Sequence, residues 1–143
     1  MTGQFAGPAP NPCASCPYRR DVPSGIWHQD EYAKLPHYDE PTYDQPLNAF
    51  LCHQNGPDDP HGRLCAGWVG CHGGELLALR VAAADGRLNP DDAARAFYYR
   101  TPVPLFSSGA EAATHGMRDL EFPSEAALST AAKIARRRPD IET

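Results

Sequence analysis

Cys13-Ala14-Ser15-Cys16-Pro17 opens the ordered-looking part of the chain, and Cys52 and Cys65 repeat its chemistry further along. A C-x-x-C turn brings two sulfurs together from one tight loop, and Pro17 stiffens that loop. Thiolates at about 2.3 Å around one ion can close a tetrahedral set from distant segments, so the four cysteines read as the ligands of a single metal. Cys52 ends a strand-like run, Leu47 to His53, and Cys65 begins a helical pattern, so both fall where the chain changes direction. The expected fold is therefore α+β and mainly helical. One short strand region and four to five helices would be clamped by a metal.

Zn2+ and a [4Fe-4S] cluster both accept four thiolates, and a Cys-Pro step also occurs in cluster-binding loops. Three residues widen the ligand choice. His53 adjoins Cys52, while Cys71 and His72 follow Cys65 by nearly two helical turns, which would bring Cys65 and His72 to one side. An imidazole from His53 or His72 would make a mixed set or leave an open site, the arrangement of a metal-dependent enzyme.

The chain has 143 residues, a formal net charge of −5, 41% hydrophobic and 22% charged residues, with 15 prolines and 12 glycines. This is the profile of one modest, loop-rich domain. Residues 1–12, rich in Pro, Gly and Ala, read as a flexible arm before a domain at 13–143. No apolar run approaches the length of a bilayer span, and the N-terminus lacks a signal-peptide pattern, so a cytoplasmic, non-membrane protein is expected. A reducing compartment keeps thiols free and favours metal or redox roles over disulfides.

Helix signals are explicit further on. A short helix is expected from His28 to Leu35, stopped by Pro36. Leu76, Leu77, Leu79, Val81 and Ala84 mark a core helix that Asp85-Gly86 ends. Asn89, followed by Pro90 and two aspartates, starts the next. Ser108 and Glu111 form a capping box, and Ser124 to Arg138 reads as a last helix with Leu128, Ala131, Ile134 and Ala135 on one face.

The acidic total argues against a protein that works mainly by neutralising phosphates. Arg19, Arg20 and Trp68 are still the residues that would touch a nucleic acid: the arginines beside the C-x-x-C could meet phosphate, and an exposed indole could stack on a base. The alternative is a solvated charge cluster and a buried tryptophan. Phosphate-loop, zinc-protease, nucleophile-elbow and dinucleotide-binding signatures are all missing from the sequence. The balance favours a non-enzymatic regulatory or interaction protein with a protein or nucleic-acid partner.

The series CASCPYRRDVPSGIW, FLCHQ and RLCAGWVGCH resembles a family of uncharacterised proteins of actinobacteria and their phages. Its members carry C-x-x-C-P-[FY]-R, a Cys-His pair and C-A-G-W in that order. The resemblance runs from about Cys13 to Leu88 and implies a metal-binding look without an activity. It carries over Cys13, Cys16, Pro17, Arg19, Cys52, His53, Cys65, Gly67 and Trp68 as motif positions.

Overall fold

A computed structural model of the chain describes residues 5–52 and 62–137. Within them lie six α-helices: α1 (Gln29–Ala33), α2 (Ala66–His72), α3 (Leu77–Ala84), α4 (Pro90–Phe97), α5 (Gly109–Met117) and α6 (Glu125–Arg137). Three 3-10 turns, Leu35–Asp39, Thr42–Asp44 and Gly73–Glu75, join them.

The α+β expectation is corrected to a helical fold. In place of a strand at Leu47–His53, the described residues hold only isolated bridges, Leu51 with Leu64, Ala6 with Arg63, and Arg19 with Leu105. The physical reason is the brevity of the partner: Arg63 and Leu64 are promptly followed by α2, leaving no room for a ladder. The metal clamp is corrected as well. Among the described residues no group of three or more His, Cys, Asp or Glu is set to hold an ion. Backbone hydrogen bonds tie the segments instead. Cys52 N–H donates to Arg63 O at 2.9 Å, Cys65 N–H to Phe50 O at 2.9 Å, and Leu64 N–H to Ala6 O at 3.0 Å.

The caps account for where the helices start and stop. Asn89 Oδ1 accepts from Asp92 N–H at 2.8 Å to open α4, and Ser108 Oγ accepts from Glu111 N–H at 3.1 Å to open α5. Asp85 caps α3, and Gly86 beside it takes φ 84°, a left-handed backbone that a side chain would strain. α1 ends at Ala33, and Pro36 sits inside the following 3-10 turn rather than after a longer helix.

The core is aromatic at its centre. Tyr18, Trp27, Tyr32 and Trp68 are fully buried among Leu35, Leu64, Leu76 and Leu79. α5 lies across α1 and the Leu35–Asp39 turn, and two glycines make that approach close. A Cβ on Gly116 would enter the Tyr32 ring, and one on Gly109 would enter Leu35 O. Tyr32 repays the position by accepting at its hydroxyl from Ile26 N–H (3.2 Å) and Trp27 N–H (3.1 Å). On α6 the fully buried residues are Ala127 and Ile134, whereas Leu128 stays 55% exposed.

Candidate functional site

Each cysteine of the expected set is delivered by a short local device. Cys16 N–H donates to Cys13 O at 3.0 Å and Arg19 N–H to Cys16 O at 3.1 Å, so the C-x-x-C is two successive turns. Trp27 Nε1–H pins that loop by donating to Ser15 O at 2.9 Å. Across the Leu51–Leu64 bridge, side chains alternate in direction, and Cys52 and Cys65 fall on the face opposite the two leucines. Cys65 is the N-cap of α2.

The result is a chain of four thiols. Cys13 Sγ meets Ser15 Oγ at 3.7 Å, Cys16 and Cys52 are near enough to act on its thiol, and Cys16 meets Cys65 with the sulfurs 3.8 Å apart. Cys16 and Cys65 are buried, Cys13 and Cys52 half-buried, and all are free thiols. Cys16 fits because residue 67 has no side chain: a Cβ there would overlap Cys16 Sγ and lie 2.9 Å from Tyr18 Cβ.

The charge within this chain is polarised. Hydrogen bonds from Cys16 and Cys52 pull the Cys13 thiol down to about 2 against the effect of burial. Cys16 moves the opposite way, because it is the donor to Cys13, bonds Cys65 and is buried. A cluster of close thiols supports one thiolate, and the others serve as its donors. Cys13 is the one drawn towards the thiolate form.

Cys71 and His72 belong elsewhere. Cys65 has extended backbone, φ −66° and ψ 116°, and so stands off the helical face that carries His72. His72 Nε2 pairs with the Tyr18 hydroxyl at 3.2 Å, and its Nδ1 faces Asp39 Oδ1 at 3.8 Å. Burial pushes Cys71 up to about 12, which leaves it a neutral thiol. His53 lies outside the described residues. Arg19 pairs with Asp21 at 2.7 Å, Arg20 donates to Leu105 O and lies over the Phe106 ring at 5.1 Å, and Trp68 is wholly buried between Tyr38 and Phe50.

Sequence reasoning missed Tyr18 and Asp39 as determinants of these sites, and it had Gly67 as a motif position without its role. The one available signal was the Gly and aromatic content of the two cysteine motifs; Asp39 acts across 70 residues, on Gly109 N–H, and no local pattern announces it.

His72 makes stability depend on pH. Burial lowers its proton affinity below the ordinary value near 6.5, with Asp39 opposing. The unfolded chain therefore takes up this proton first as pH falls. The contribution is complete above about pH 6.5 and is lost as pH drops from there towards the lowered folded value. Urea unfolding between pH 8 and 5 is expected to show a steeper loss for the native chain than for His72→Gln, and parallel curves would refute it.

Fold and site together define a small helical protein with a buried pair of thiols, Cys16 and Cys65, the half-buried thiols of Cys13 and Cys52, and no described helix long and apolar enough to cross a membrane. The chain belongs to DUF6283, a family of unknown function, whose model matches residues 8–138 and so reaches well beyond Leu88. Neither curated proteins nor solved structures give a match.

Proposed function

We propose that the thiols of Cys13, Cys16, Cys52 and Cys65 take up one metal ion, Zn2+ first, and that the protein is a regulatory or interaction module of the cytoplasm that works by binding rather than catalysis. The observation that carries this reading is the 3.8 Å separation of Cys16 and Cys65 sulfurs. Tetrahedral bonds of about 2.3 Å place neighbouring sulfurs about 3.8 Å apart. A [4Fe-4S] cluster is the weaker reading, because each thiolate then caps a different iron and the sulfurs spread further. Cys13 already favours the ligating thiolate form, which lessens the cost of deprotonation on loading. The half-buried side chains of Cys13 and Cys52 are the ones that adjust around the Cys16–Cys65 pair. Five free thiols agree with a reducing compartment.

Metal analysis of the purified chain with an absorption spectrum tests this. One zinc per chain without colour is expected, and brown protein would move the assignment to the cluster. Cys16→Ser and Cys65→Ser should each weaken zinc by at least about 100-fold, more than outer-shell changes do, while Cys71→Ser leaves affinity unchanged. Zinc at about 1,000 times its Kd should stabilise the folded chain by about 4 kcal/mol. A chain that neither retains nor binds zinc or iron overturns the proposal.

A further inference from the structure

α6 is anchored along one narrow seam. Ala127 and Ile134 are buried two turns apart on one side of the helix, whereas Leu128 is 55% exposed and Glu125, Ser129, Ala132, Lys133 and Arg136 are all exposed. At about 100° per residue, Glu125, Ser129, Ala132 and Arg136 form a single row opposite the buried pair. Leu128 stands beside that row.

A cavity of about 500 Å3 runs along the Leu128 flank, walled largely by Trp27, Leu120, Pro123, Leu128, Ala131 and Ala132. Phe122, 85% exposed, adds an apolar side chain just before the helix begins. Exposed apolar surface rimmed by charge marks an interaction face.

The charge pattern selects the occupant. α6 is acidic at its start, with Glu125, and basic towards its end, with Lys133 and Arg136. Among the described residues none of these three has an ion-pair partner. A partner of uniform charge, such as a nucleic acid, would be drawn to one end of this helix and repelled by the other. A copy of the same helix laid antiparallel complements both ends. When a two-fold axis passes between Ser129 and Ala132, Glu125 of each copy lies opposite Arg136 of the other, with Lys133 one turn away. Ser129 then faces Ala132, and these small side chains let the two backbones approach closely. The two-fold also brings both Leu128 side chains to the same side of the crossing, where they close over the apolar cavities. The opposed helix dipoles add to the fit.

We infer that the chain pairs with a second copy of itself through α6, as an antiparallel two-fold dimer held by two Glu125–Arg136 ion pairs around a crossing of small residues. Neither the thiols nor their metal takes part. A helix of 13 residues is about 20 Å long, so the contact belongs to the small class of interfaces and the dimer is of micromolar strength.

Sedimentation equilibrium of the full chain from about 10 µM to about 1 mM, a range that brackets micromolar affinity, should show a monomer–dimer equilibrium. Glu125→Arg and Arg136→Glu each set like charges against one another at both ends of the crossing, and each should weaken the dimer at least about tenfold. Both positions face solvent, so the buried contacts of Ala127 and Ile134 stay in place. An equimolar mixture of the two variants should associate again as heterodimers, because each copy then offers the charge that the other lacks. Leu128→Glu should weaken the dimer comparably, while Leu47→Glu, at an exposed leucine elsewhere, should leave it unchanged. A chain still monomeric at about 1 mM would assign the face to a different partner and overturn the inference. So would a mixture of natively melting variants that stays monomeric, or a dimer indifferent to Glu125, Arg136 and Leu128.

Discussion

Gly67→Ala is expected to destabilise the chain by about 2–3 kcal/mol and to disperse its thiol cluster. In an ordinary helix this exchange stabilises by up to about 1 kcal/mol. Here the first turn of α2 lies flat on the C-x-x-C loop, and the added carbon would overlap Cys16 Sγ while standing 2.9 Å from Tyr18 Cβ. Tyr18 Cβ is fixed to the backbone of a fully buried residue and cannot swing away. Relief must come from Cys16, whose sulfur would leave Cys65 and Cys13, or from a shift of α2. Overpacking of this kind costs about 1–3 kcal/mol, and a fixed neighbour at Tyr18 together with the displaced Cys16 sulfur puts the value near the top of that range. Gly74→Ala is the control, since its new carbon would meet Phe97 Cδ1 at 3.5 Å, an ordinary contact. Urea unfolding reports the stability, and the rate of Cys13 alkylation at acid pH reports whether the thiolate survives. A Gly67→Ala protein as stable as the native chain, with Cys13 still reactive, would mean that the close approach of α2 is not needed.

What could be read beforehand follows the range of the interactions. Asn89, Ser108 and Asp85-Gly86 act on neighbours within three residues, and each does at its helix end what its side chain or backbone freedom dictates. The turn that carries Cys13 and Cys16 and the start of a helix at Cys65 were also legible, because a C-x-x-C-P loop and an apolar helical run are local signals. The strand was not. Apolar character from Ala49 to Leu51 describes burial, with Leu47 left exposed, and a ladder further needs a partner of equal length, which Arg63 and Leu64 do not provide. The placing of His72 beside Cys65 failed for a related reason: helical spacing holds only between residues inside the helix, and Cys65 stands just before it. Asp39 and Gly109 depend on contacts across 70 residues, where α5 crosses the Leu35–Asp39 turn. Periodicity carries no information about such a crossing.

The two tryptophans should separate packing from hydrogen bonding. Trp27 and Trp68 are both buried, 1% and 0% exposed, so Trp27→Ala and Trp68→Ala should each cost about 3–5 kcal/mol. That is a large share of the 5–15 kcal/mol typical of a whole domain. Their phenylalanine variants should diverge. Trp27 Nε1–H donates to Ser15 O inside the C-x-x-C loop, so Trp27→Phe removes a buried bond and loosens the turn that carries Cys13 and Cys16. A loss of about 1–2 kcal/mol and slower zinc uptake or weaker zinc affinity should follow. Trp68 Nε1 is buried without a hydrogen-bond partner. Trp68→Phe deletes a donor that already bears its desolvation cost, which offsets the smaller ring, and the net change should stay below about 1 kcal/mol. Equilibrium unfolding with zinc titration of both variants decides the matter. Should Trp68→Phe prove as damaging as Trp27→Phe, the indole nitrogen of Trp68 must have a partner, and the hold of Trp27 on the cysteine loop would lose its special standing.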